Sequence, residues 1–130
     1  MRFLDASNQA QSAEASESGG VPMLYELRIY HCMPGKLPAV VTRFETQTVK
    51  LFEKHGIQPV GFWTVAIGDS NADLYYMLKW DSLDERQKKF AAFQADPDWI
   101  AARNKSEEGG PIIASFSNSI LTPTSFSAMK

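Results

Sequence analysis

Glu26, Arg28 and Tyr30 stand two residues apart in the segment YELRIY (25–30). In an extended chain that spacing puts a carboxylate, a guanidinium and a phenol on one side of the backbone. Taken out of water, the two charges need each other or a ligand. Together they can hold or deprotonate a small acidic or phenolic substrate, with Tyr30 as a donor. The competing reading is a structural ion pair that fixes how two subunits register.

Trp63, Tyr75 and Phe116 are candidate apolar walls around an aromatic ligand, and without one they serve as core or interface rings. Metal chemistry has little to work with: Cys32 is the only cysteine and His31 and His55 the only histidines. A protein metal site and a disulfide within the chain are therefore not expected. One histidine can still ligate haem, and His55 is the candidate. Its plainer reading is an imidazole at a helix end, where the dipole favours the cationic form. Asp69 and Asp73 read as turn formers, and Asp84 and Arg86 as surface or cap contacts. No glycine-rich phosphate loop and no Gly-x-Ser-x-Gly elbow is present.

These side chains must be positioned by seven elements. Tyr25, Leu27 and Ile29 alternate with Glu26, Arg28 and Tyr30, the pattern of a strand, and Pro34-Gly35 breaks it. Leu37, Val40, Val41, Phe44, Thr48, Leu51, Phe52 and His55 recur at helical spacing, with Pro38 in the first turn and Gly56 as the left-handed cap. Strands are expected over 59–67 and 74–80, joined by a polar hairpin loop. Ser82 to Glu85 forms a capping box for a helix that buries Leu83, Arg86, Phe90 and Phe93. A second short helix follows, with Asp96 as its cap and Pro97 in its first turn. The fourth strand spans 112–121. Residues 1–22 lack large apolar side chains beyond their first few positions and are expected to be a flexible tail or expression remnant. Residues 123–130 are expected to be a C-terminal tail.

The order strand, helix, strand, strand, helix, strand places the first and third strands centrally and both helices on one face. This is α+β, the ferredoxin-like βαββαβ arrangement with a four-stranded antiparallel sheet. The other face is the difficulty. Phe62 and Trp63 are adjacent, as are Tyr75 and Tyr76, so large rings point both ways. At about 25 cal/mol per Å² and roughly 150–250 Å² per ring, each stranded ring gains a few kcal/mol from cover. A second copy would supply it and close a barrel between subunits, so a homodimer is expected, with Glu26, Arg28 and Tyr30 lining its interior.

Composition excludes several classes. Thirteen basic against fifteen acidic residues argue against a nucleic-acid binder. No apolar run approaches the roughly 18 residues that span a bilayer. The N-terminus lacks a secretory pattern and is acid-rich for a mitochondrial leader. A lone cysteine suits a reducing compartment, so a cytoplasmic location is expected.

Several pieces resemble the NIPSNAP family: YELRIY (25–30), the Pro34-Gly35-Lys36 turn, LFEKHG (51–56), VGFW (60–63), Gly68-Asp69, LKWDSLDER (78–86) and DPDW (96–99). They cover about a hundred residues in order. The resemblance implies a dimeric α+β barrel. The wider superfamily includes cofactor-free monooxygenases acting on aromatic compounds, isomerases, and haem-binding or haem-degrading proteins, whereas NIPSNAP proteins mostly lack an assigned reaction. Three functions follow as expectations. The first is a cofactor-independent protein binding an apolar or aromatic compound, either an oxygenase or an isomerase. The second is a non-catalytic interaction module whose aromatic face is dimer core. The third is a haem binder using His55.

Overall fold

The structure is a computed structural model that describes residues 23–130. The expectation for residues 1–22 lies outside them. Strands β1 (Leu24–Cys32), β2 (Gln58–Thr64), β3 (Asp73–Trp80) and β4 (Ile113–Leu121) form one sheet in the order β2-β3-β1-β4. All neighbours are antiparallel. The central pair is the expected one, and the α+β ferredoxin-like arrangement holds.

From Leu37 to Lys54 the chain is helical throughout, as α1 (Leu37–Arg43), a π-helical turn (Phe44–Thr48) and α2 (Val49–Lys54). The π turn inserts one residue per turn without breaking the rod. Val40, Phe44, Thr48, Leu51 and Phe52 stay on the core, and Arg43 is turned inward with them. Gly56 then closes the helix at φ +71, a conformation that costs glycine nothing.

Helix α3 (Leu83–Ala95) starts at Ser82, whose Oγ accepts from the Glu85 N–H at 3.0 Å. The return half of the box differs: the Glu85 carboxylate accepts from the Asp81 N–H at 2.6 Å, one residue before the cap. Leu83 is 57% exposed, against expectation, while Arg86 and Phe90 are partly buried and Phe93 is buried. Helix α4 (Pro97–Ser106) is capped by Asp96, which accepts from the Asp98 N–H at 2.8 Å.

Register assigns every strand residue to a face. The helix-covered face carries the rows Glu26–Leu78–Ile120, Arg28–Tyr76–Asn118 and Tyr30–Leu74–Phe116, with Phe62 beside Tyr76. The core is the aromatic cluster of Phe44, Phe52, Tyr76, Trp80, Phe93 and Trp99 under the helices. The helix-free face carries Tyr25, Leu27, Ile29, His31, Trp63, Tyr75 and Met77. Strand β2 ends at Thr64, short of the expected Ile67, which is almost fully exposed. The segment after β4 folds back: Thr122, Pro123, Ser127 and Met129 enclose a small cavity of about 160 Å³ with Tyr25 and Met77.

Candidate functional site

Glu26 is fully buried and Arg28 nearly so. The cover is not the expected one. These residues were expected to line a barrel closed by a second copy on the helix-free side. The structure places them on the opposite face, under α3 of the same subunit. Alternation along β1 separates the two faces but says nothing about which one the helices occupy.

Five donors converge on the Glu26 carboxylate. Oε1 accepts from Trp80 Nε1 at 3.0 Å and Arg86 Nε at 2.7 Å. Oε2 accepts from Arg28 Nη1 at 2.9 Å, Arg86 Nη2 at 3.0 Å and Asn118 Nδ2 at 2.8 Å. Arg86 thus grips both oxygens with its fork, the strong form of this pair. Burial alone would raise the Glu26 pKa, but the Arg86 and Asn118 hydrogen bonds and the Arg28 charge bring it down to about 2. A carboxylate so saturated holds its negative charge and has no lone pair left to take a substrate's proton. The deprotonating role expected for Glu26 is therefore corrected: it is the anchor that orients two arginines.

Arg28 donates from Nε to Tyr76 Oη at 2.7 Å and from Nη2 to Tyr30 Oη at 3.4 Å. Tyr76 in turn donates to Tyr30 at 3.0 Å. Burial pushes the Tyr76 hydroxyl well above its ordinary range, with the Tyr30 ring beside it acting the same way. Tyr30 accepts from both partners and keeps its own hydrogen available, as a donor should.

Two arginines on one carboxylate leave one positive charge over. It faces a cleft of about 340 Å³ between α3 and β4, lined by Arg28, Arg86, Phe90, Phe116, Asn118 and Gln87. The Arg28 guanidinium lies 5.0 Å from the Phe90 ring centre and 5.4 Å from that of Phe116. Such a cation over a ring is electrostatically favoured. The cleft therefore offers unspent guanidinium donors beside flat apolar walls, and it fits a small anion with an aromatic or apolar body.

Of the expected wall residues, only Phe116 is here. Trp63 and Tyr75 pair with each other across β2 and β3 on the opposite face, beside Ile29. The expectation that they share a pocket with Glu26 and Arg28 fails on register, because an odd offset reverses the face. His55 also has another task. Its Nε2 lies 2.7 Å from Asp96 Oδ2, and its ring meets the Phe93 edge. Lys54 joins the same carboxylate at 2.8 Å. Their hydrogen bonds hold the Asp96 carboxyl far below the usual range. His55 is thus a staple between the end of α2 and the start of α4, and a haem would have to displace that contact. Among the described residues no group of three His, Cys, Asp or Glu side chains could hold a metal ion, and no helix is long and apolar enough to cross a membrane.

Arg86 and Asn118 are the residues that sequence reasoning missed. Arg86 carried a signal, since a guanidinium on the buried stripe of α3 needs an acid beneath it. Asn118 carried none, because its partner lies 92 positions away.

Fold and site together define a ferredoxin-like α+β domain with an arginine-lined cleft between sheet and helix. The chain belongs to the NIPSNAP family, whose profile matches residues 25–128. A NIPSNAP family protein of unknown function from Agrobacterium tumefaciens is similar at 28% identity and a TM-score of 0.75, covering 85% of this chain and 96% of its own. A NIPSNAP-like domain protein from Burkholderia xenovorans is similar at 25% identity and a TM-score of 0.73, covering 82% and 90%. A protein of unknown function from Bacteroides fragilis, described as dimeric and ferredoxin-like, shares the fold at 15% identity and a TM-score of 0.55, covering 78% and 96%. No curated protein matches the chain.

Proposed function

We propose that this chain binds a small aromatic or apolar acid in the cleft between α3 and β4. Arg28 and Arg86 hold its carboxylate or phenolate, Tyr30 donates to it, and Phe90 and Phe116 flank its body. The observation that carries the reading is the surplus positive charge left when two guanidiniums share Glu26. Within a cofactor-independent oxygenase or isomerase, the same groups would bind and polarise the substrate anion. Glu26 would act only as the positioning residue behind them.

The assembly that goes with this reading is a homodimer. Trp63 is half exposed on the helix-free face, beside the partly covered Ile29, Tyr75 and Met77, and a second copy laid there would give the rings their cover. The Bacteroides fragilis protein that shares the fold is itself described as dimeric.

Thermal-shift and calorimetric titration with benzoate, salicylate and 1-naphthoate, against benzyl alcohol and benzylamine, test the site. The acids should stabilise and bind, and the neutral and cationic analogues should not. Arg86→Ala should weaken the acids by about 10- to 100-fold, the scale of a lost charged hydrogen-bond pair. Equal response to benzoate and benzyl alcohol would end the proposal.

A further inference from the structure

Between α4 and the rod formed by α1 and the π turn lies a groove of about 530 Å³. Pro38, Ala39 and Thr42 line one side and Ala102 the other, and no aromatic ring is among its walls. Arg43 and Lys105 line it too. Lys105 is exposed, but the Arg43 side chain is only 4% exposed. Its Nη1 donates to Ser106 Oγ at 3.2 Å and lies 3.6 Å from Glu107 Oε2. The guanidinium carbon is 5.1 Å from the centre of the Trp99 ring. Arg43 Nε is buried and has no hydrogen-bond partner, alone in this among the buried side-chain nitrogens and oxygens of the described residues.

A buried N–H with nothing to accept it is costly and is the exception in folded proteins. Here it belongs to a cation. Glu107 is the one carboxylate at ion-pair distance from Arg43 among the described residues, and it comes no closer than 3.6 Å. A well-made guanidinium–carboxylate pair sits at about 2.7–2.9 Å. Burial lowers the Arg43 pKa, and Glu107 does not make up the difference, partly because the Arg103 charge opposes it. With Nη1 turned toward α4, Nε and Nη2 form the edge through which a guanidinium holds a carboxylate by two parallel bonds. The π turn opens immediately after Arg43, whose carbonyl accepts from Thr48 Oγ1 at 3.4 Å. Turns of this kind inside helices are frequent at functional sites.

We propose that this groove binds a medium-chain fatty carboxylate, with its head on Arg43 and Lys105 and its chain along Pro38, Ala39 and Ala102. The body is assigned as aliphatic because the walls are small and saturated, whereas the arginine cleft offers the flat rings of Phe90 and Phe116. The head is assigned as a carboxylate because the open edge of the guanidinium presents two parallel donors, the match for a planar anion. An incoming carboxylate draws the guanidinium off its long Glu107 contact and gives Nε the acceptor it lacks. Lys105 then reaches the outer side of the head from α4. The site shares no residue with the arginine cleft. Its walls are helices, so a second copy laid on the helix-free face of the sheet leaves it open.

The test is calorimetric titration of the full chain with hexanoate, octanoate and decanoate, against 1-octanol and octylamine, all below their micelle concentrations. NMR of the arginine Nε–H signals locates the head, the Arg43 signal being the one missing from Arg43→Lys. The carboxylates should bind, tightening about 2- to 4-fold for each methylene added, and the Arg43 Nε–H signal should move downfield in step with saturation. Octanol and octylamine should leave it in place. Arg43→Lys keeps the charge but loses the two-donor edge, and should weaken octanoate about 10-fold or more. Ala39→Trp, at an exposed position, fills the groove without touching a charged group and should abolish octanoate binding. A wild-type unfolding transition shows that this variant is folded, so its result stands even where Arg43→Lys is destabilised. Absence of octanoate binding, equal binding of octanol, binding that survives Ala39→Trp, or an Arg43 Nε–H signal unmoved at saturation would overturn the proposal.

Discussion

Replacing Glu26 by glutamine keeps the shape of the side chain and removes its charge, and the consequence can be worked out from the five hydrogen bonds. A carboxylate offers lone pairs to all five donors. An amide offers one oxygen and turns an NH₂ toward the donors that the second oxygen served. Whichever way it is placed, two or three donors lose their acceptor, and two guanidiniums lose their counter-charge. Breaking one partner out of a buried pair costs about 3–5 kcal/mol. A separate route uses the proton affinity: the fall of the Glu26 pKa from 4.5 to about 2 corresponds to about 3 kcal/mol, on the order of 2–3 after partial solvent screening. The two estimates overlap near 3 kcal/mol, a large share of the roughly 5–15 kcal/mol that a domain possesses. The second route also fixes the pH dependence. A group whose pKa is depressed by folding stabilises fully above its unfolded value, and the benefit drains away as pH falls through the folded one. Wild type should exceed Glu26→Gln by about 3 kcal/mol at pH 7 and by progressively less between about pH 5 and pH 2. Urea denaturation followed by tryptophan fluorescence reads both, since the Trp80 indole is itself a donor to Glu26. A gap below about 1 kcal/mol at pH 7, or one that is unchanged at pH 3, would refute the reasoning.

Three further perturbations probe other contacts. Tyr76→Phe strips Arg28 Nε of its 2.7 Å acceptor and should cost about 1–3 kcal/mol in denaturant titration; a neutral result would mean that water replaces the hydroxyl. Gly56→Ala forces a Cβ onto a residue at φ +71, 3.3 Å from Lys89 Nζ, and should cost about 1 kcal/mol by thermal unfolding. That loss should persist in a Lys89→Ala background if backbone strain is its source. Trp63→Asp should leave subunit stability nearly unchanged, because the ring is half exposed, and should halve the mass measured by sedimentation.

Sequence and structure agree where local rules act alone. The alternation in β1, the Asp96 cap with Pro97 behind it, and Gly56 after the long apolar stripe each depend on neighbours within a few positions. The order of elements then leaves little freedom in the sheet. Agreement ends where a feature depends on geometry between distant segments. The π turn at Phe44–Thr48 leaves no mark on an apolar stripe that reads equally well as a plain helix. Leu83 looked buried because an apolar residue opens the helix, yet it is exposed. The helix-covered face was misassigned for β1 because a strand shows two parities and no label for either. Adjacent rings in β2 and β3 were correctly read as facing opposite ways. Which ring joined Arg28 depended on register, and register is decided by pairing partners. The contact of Arg43 with Ser106 is of the same kind, since 63 positions of sequence separate the two.

The charge arrangement around Glu26 bears on why the site exists at all. A buried ion pair seldom beats well-packed hydrophobic side chains in stability, because desolvation consumes most of the Coulomb gain. Leu78, Trp80 and Phe90 surround this one, and an aliphatic residue at position 26 would extend the same core. The arrangement also exceeds neutrality. Arg86 takes both oxygens in a bidentate grip while Arg28 approaches from the other side. The excess falls in a chain whose overall charge is −2, so it is local placement and not average composition. A half-buried positive surplus is costly, and an anion bound in the cleft, as proposed above, would relieve it. On the function proposed above, the second arginine has a role beyond the ion pair, as a partner for an anionic ligand.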